Sequence, residues 1–166
     1  MRARKILAVS LTAAMTLALA ACGGSSSDKE SSSKDSSDKV YKIGICQQLE
    51  HAALDEATKG FEEACEEKFG KDKVKFDLQN GQGEQANCAT ISNGFVANNY
   101  DLILANATTA LQCAAAATST IPVIGTSVTD YATALDIDNW TGSTGTNVSA
   151  TADLAPIDQQ EDMLVE

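Results

Sequence analysis

Val40-Tyr41-Lys42-Ile43-Gly44-Ile45-Cys46 is a short apolar run with β-branched residues. It passes through the polar Gln47-Gln48-Leu49-Glu50-His51 into Ala52–Phe69, where Leu54, Ala57, Phe61, Ala64, Cys65 and Phe69 recur at helical spacing. This is a strand feeding a helix, and Gly70 stops the helix. The same unit repeats downstream. Val74-Lys75-Phe76-Asp77-Leu78 alternates as a second strand, and 84–99 is a second helix with Cys88, Ile91 and Phe95 on one face. Residues 101–105 form a third strand, 108–118 an alanine-rich third helix and 121–125 a fourth strand, while 147–153 suits one further short strand. Strands alternating with helices of this length predict an α/β fold, a doubly wound parallel sheet with helices on both faces. Right-handed crossovers put helices two and three on the same face if the strand order is 2-1-3-4.

In such a sheet, ligands sit beyond the carboxyl ends of the strands. Those ends are 47–51, 80–84, 106–109 and 126–130, and all four are polar. Helix N-termini present unpaired N–H groups and partial positive charge. Thr108, Ser127 and Thr129 are therefore candidates for an anionic ligand group. Gln48, Glu50 and His51 would cover the ligand from strand one, Asn80 from strand two, and Asp130 would take an ammonium group. The plainer alternative is that these side chains only cap helices and turns.

Catalytic signals are weak. The loop after strand one has no glycine, so no dinucleotide turn is present. Gly125-Thr126-Ser127-Val128-Thr129 lacks the second glycine of a nucleophile elbow. His51 is the sole histidine, and at a strand-to-helix junction it reads as a cap or a cleft hydrogen bonder. No Cys or His spacing supports a metal, and no cofactor is expected. The rival reading is an enzyme on a flavodoxin-like sheet with His51 as general base.

The N-terminus sets the compartment. Arg2, Arg4 and Lys5 precede a mainly apolar run at 6–21 that is too short for a membrane span and ends in small residues. Leu19-Ala20-Ala21-Cys22 resembles the lipobox of bacterial lipoproteins, which implies cleavage before Cys22 and lipid on its sulfur. The expected organisation is a signal peptide over 1–21, a lipidated Cys22 with a flexible serine-rich tether over 22–39, and an α/β ligand-binding lobe over 40–153. At 154–166 a crossover helix starts toward a second lobe, so the lobe reads as truncated. A net charge of −11 disfavours nucleic acid and peripheral contact with anionic lipid, leaving the lipid anchor as the one membrane attachment. In an oxidising compartment, Cys88 and Cys113, near the starts of helices two and three, are a candidate disulfide.

Taken together, Ile43-Gly44-Ile45-Cys46-Gln47, Glu50-His51-Ala52-Ala53-Leu54-Asp55, Asn80-Gly81-Gln82-Gly83-Glu84, Ala105-Asn106-Ala107-Thr108, Ile121-Pro122-Val123 and Val128-Thr129-Asp130 occur in order over 40–166. The ordered set resembles the TrpX-like family of ABC-importer substrate-binding lipoproteins. The resemblance implies a periplasmic-binding-protein type I lobe, one of two that close on a small ligand, commonly an aromatic amino acid. It also implies delivery to an ABC permease powered by its cytoplasmic ATPase. Gln48-Leu49 offers no aromatic ring in the first loop, so the expected ligand is a small polar organic solute, an amino acid or similar. A ligand-sensing lobe of a signalling lipoprotein is the remaining alternative.

Overall fold

The computed structural model describes residues 39–155 and Glu161. The signal segment, Cys22, the tether up to residue 38 and, apart from Glu161, the crossover helix at 156–166 lie outside the described residues. The elements run β1 (Tyr41–Gln47), α1 (Ala52–Phe69), a 3-10 turn (Lys71–Lys73), β2 (Val74–Asn80), α2 (Gln85–Ala97), β3 (Leu102–Asn106), α3 (Thr108–Ala117), β4 (Val123–Val128), α4 (Tyr131–Ala134) and β5 (Val148–Ala152). The sheet order is β2-β1-β3-β4-β5, and every neighbouring pair is parallel.

This order fixes the layers. The β1-to-β2 step runs opposite to all later steps, so right-handed crossovers place α1 on one face and α2 to α4 on the other. The core divides accordingly. Ile43, Ile45, Val74 and Leu104 pack with Phe61 and Phe76 under α1. Cys46, Phe95, Ile103, Leu111, Val123, Val128 and Tyr131 fill the other face. Two glycines allow rings to lie directly on the strands there. A Cβ on Gly44 would sit 2.6 Å from the Phe95 ring, and one on Gly125 would sit 2.8 Å from the Tyr131 ring.

Three expectations need correction. First, the fourth strand begins at Val123 and reaches Val128, later than the apolar run at 121–125 suggests. Asn147 Nδ2 donates to the carbonyls of Thr118 (3.1 Å) and Ile121 (2.6 Å), which holds this stretch as a loop. Pro122, with no N–H, could not donate to the ladder in any case. Second, a short helix, α4, occupies 131–134, a stretch between the fourth strand and 147–153 in which the sequence pattern marks no element. Third, the expected Cys88–Cys113 disulfide is absent: Cys46, Cys65, Cys88 and Cys113 are all free thiols. Cys88 lies in the first turn of α2 and Cys113 midway along the neighbouring α3, and each thiol has its own contact. Cys88 Sγ packs against Gly81, where an added Cβ would come within 2.3 Å. Cys113 Sγ donates to the Gln85 carbonyl at 3.6 Å. Burial, with the neighbouring Cys88 thiol, pushes the Cys46 thiol up to about 12, so it stays protonated.

Candidate functional site

The carboxyl ends of four parallel strands finish on one aligned polar row. Asn80, Gln47, Asn106 and Thr126 are register partners from β2 through β1 and β3 to β4. Beyond this row the backbone turns sharply. Ala107, after β3, has φ +84° with ψ 165°, and Ser127, in the last turn of β4, has φ +56°. Alanine in a region normally kept for glycine costs about 1–3 kcal/mol, and such strain gathers at functional sites. Ala107 N–H donates to the Thr126 carbonyl at 3.0 Å, which ties the two strained ends together.

Gln48 fastens the β1 loop to the start of α3. Its backbone N–H donates to the Asn106 carbonyl (3.1 Å), and its side-chain Oε1 accepts from Thr109 N–H (3.0 Å). One of the free N–H groups of α3 is thereby satisfied by the loop itself. α3 has Ala107 as its N-cap with no side-chain cap bond, so the exposed Thr108 hydroxyl is not taken up by capping. His51 is exposed and caps α1, its Nδ1 accepting from Ala53 N–H at 3.2 Å. That geometry matches the cap role weighed for this lone histidine.

A cleft of about 570 Å³ opens at this edge of the sheet, lined by Leu49, His51, Leu54, Thr126, Ser127 and Asp153 among others. It joins the loop after β1, the end of β4 and the chain leaving β5. His51 and Ser127 thus meet in one cleft, while Gln48 and Thr108 sit at the start of α3, where Gln48 bonds Thr109, and are not among the cleft's lining residues. The remaining candidates do not converge there. Asn80 Oδ1 accepts from Gln82 N–H (2.7 Å) in a turn at the end of the edge strand β2. Asp130 is taken up by α4: its carboxylate accepts from Thr133 N–H (3.1 Å) and Thr133 Oγ1 (2.7 Å), and these bonds hold its pKa below the usual range. Thr129, just before it, is exposed, as is Glu50 on the first loop.

Some cleft residues carried no sequence signal. Thr151 and Asp153 reach the cleft only because β5 pairs with β4, and four of the five β5 residues are exposed, which blurs the pattern of a buried strand. Thr126 lay within the strand end read at 126–130, and the structure places it beside Ser127 in the cleft.

A larger groove of about 730 Å³ lies among α3, α4 and the segment before β5, lined by Gln112, Ala116, Leu135 and Asn147 among others. Gln85 at the start of α2 also lines it, but it contains no strand carboxyl end, so the smaller cleft is the candidate site. Among the described residues, no three His, Cys, Asp or Glu side chains are grouped to hold a metal, and no helix is long and apolar enough to cross a membrane.

Comparison with known proteins gives consistent matches. The family model for ABC transporter substrate binding proteins matches residues 42–166. A tyrosine-binding protein of Clostridioides difficile (strain R20291) is 37% identical over 164 residues, covering 95% of this chain and 47% of that protein. The chain therefore spans about half the length of this curated relative. Among solved structures, the ligand-free, open form of a substrate-binding protein with adhesive properties from Clostridium difficile matches with TM-score 0.70 and 37% identity, over 76% of this chain and 43% of that one. An ABC domain in complex with L-Trp from Streptococcus pneumonia matches with TM-score 0.68 and 36% identity, again over 76% and 43%. The shared parallel sheet and flanking helices are those of a periplasmic-binding-protein type lobe.

Proposed function

The chain belongs to the ABC transporter substrate-binding protein family, and from that premise we propose that it captures a free amino acid outside the cytoplasm for delivery to an ABC permease and its ATPase. Members of this extracytoplasmic family bind substrates rather than convert them. The observation that carries the proposal is the strained, polar junction where the ends of β3 and β4 meet the start of α3 beside an open cleft. A carboxylate suits that place, because the α3 N-terminus offers partial positive charge and the Thr108 and Ser127 hydroxyls stand beside it without a capping role in α3. Gln48 and His51 cover the ligand from the first loop. The relatives that bind tyrosine and L-Trp favour an aromatic amino acid over other small polar solutes. In a two-lobe protein the second lobe would close over the same cleft.

The reading predicts saturable binding of L-tyrosine or L-tryptophan, with the ligand recovered chemically unchanged. Conversion of the ligand, lost in His51→Ala, would instead support the enzyme on a flavodoxin-like sheet. The capping geometry of His51 is the observation that disfavours that rival.

Anchoring is proposed through Cys22, motivated by Leu19-Ala20-Ala21-Cys22 after a basic start and an apolar run. Lipoprotein-type multiple acylation holds a protein firmly on a membrane, whereas a single chain does so only marginally. Cys22→Ala should move the protein from the membrane fraction to the soluble one. Unchanged fractionation would rule the anchor out.

A further inference from the structure

Beneath the first ligand loop, four polar side chains from three elements join in one hydrogen-bond chain. Gln47 Nε2, at the end of β1, donates to Asp55 Oδ1 (2.7 Å) and to the Leu49 carbonyl (3.0 Å). Thr58 Oγ1, in α1, donates to Gln47 Oε1 at 2.8 Å. Asn106 Nδ2, at the end of β3, donates to Thr58 Oγ1 (3.0 Å) and to the Leu54 carbonyl (2.8 Å). The directions are fixed by chemistry. The single hydroxyl proton of Thr58 goes to Gln47, so its lone pair must take the Asn106 amide.

The chain is deeply buried, with Gln47 and Thr58 each 3% exposed and Asn106 0%. It also carries a cost that packing alone would avoid. Asn106 Oδ1 finds no partner among the described residues, and an apolar side chain at that strand end would strand no acceptor. The benefit lies in what the chain holds. Gln47 fixes the Leu49 carbonyl and Asp55 in the first turn of α1, while the Asn106 backbone carbonyl accepts from Gln48 N–H. α1 buries a single side chain fully, and that side chain is Thr58. Polar bonds, rather than a deep apolar face, therefore set how the start of α1 and the loop before it sit on the sheet.

We infer that Gln47, Thr58 and Asn106 are positioning residues that lock the Gln48–His51 ligand loop to the end of β3 where α3 begins. The inference rests on the reading of that loop as part of the ligand site, and it deepens that reading by naming what sets the loop's place.

The test is amide hydrogen exchange of the intact protein. Thr58→Val keeps shape but removes both hydroxyl bonds, and Thr58→Ser restores them. Thr58→Val should speed exchange across residues 48–57 by ~10-fold, the effect of losing two net hydrogen bonds, with β3 and β4 at parental rates and Thr58→Ser close to parent. Asp55→Ala, at an exposed position, should act in the same direction to a smaller extent and guards against a misfolded Thr58→Val. Parental exchange over 48–57 in Asp55→Ala and in a folded Thr58→Val would overturn the inference. So would equal acceleration throughout the sheet, which marks general destabilisation. L-tyrosine titration of the same proteins separates the two levels. Faster loop exchange in Thr58→Val, with no tyrosine bound even by the parent, would support the positioning role and count against the amino-acid reading.

Discussion

Phe95→Ala is expected to lower the unfolding free energy by about 4 kcal/mol, within the range for removing a fully buried phenylalanine. The Phe95 ring is 1% exposed, packs tilted against Tyr100 with centroids 4.8 Å apart and lies against Gly44 of β1. Removing it leaves a cavity between α2 and the centre of the sheet that these elements cannot readily collapse to fill. Small domains have about 5–15 kcal/mol in total, so the variant should unfold at much lower urea concentration. Gly44 supplies the control. In the parent, Gly44→Ala pushes a methyl to 2.6 Å from the ring and should destabilise by about 1–3 kcal/mol. In Phe95→Ala the same methyl enters vacated space, so the two changes should be markedly non-additive. Additive losses in urea titrations would mean that ring and glycine are not in contact.

The second large effect concerns binding. Thr108→Val and Ser127→Ala combined should weaken amino-acid affinity by about 100-fold, measured in a two-lobe protein that contains this lobe. Each lost hydrogen bond to a buried carboxylate is worth roughly a factor of ten or more. The hydroxyls compete with no capping role in α3, whose N-cap is Ala107 with no side-chain cap bond. A drop in affinity with an unchanged melting temperature is therefore the expected pattern. Unchanged affinity with the fold intact would leave these hydroxyls without a ligand role and refute the proposed anion site.

The sequence carried the architecture well where the pattern was long or strongly periodic. Ala52–Phe69 was legible to the residue because Leu54, Phe61 and Cys65 mark one face and Gly70 ends it. The parallel sheet followed from strand–helix alternation, whereas the order 2-1-3-4 entered only as a condition, which the observed order satisfies. Shorter features were lost for physical reasons. α4 is four residues long, too short for any periodicity, and its only signal is Asp130 as a cap for Thr133. The Cys88–Cys113 expectation correctly placed two helices side by side, but the two thiols stay unbonded, and Cys113 sits midway along α3 rather than near its start. The Gln47–Thr58–Asn106 chain was invisible because nothing along one dimension brings positions 47, 58 and 106 together. A polar strand end looks the same whether it meets a ligand or supports the loop that does.

The central claim is that an amino acid binds where β1, β3 and β4 end. The chain spans less than half of the structures it matches, so on the two-lobe proposal it supplies one wall of the cleft and binds weakly on its own. Weak binding suits two-dimensional ¹⁵N–¹H NMR of this protein titrated with L-tyrosine into the millimolar range. The account predicts saturable shifts concentrated at Gln48, His51, Thr108, Thr109 and Ser127, with the ligand unchanged in the same tube. Shifts centred instead on Gln112, Leu135 and Asn147 of the helical groove, or none at the strand ends, would contradict it.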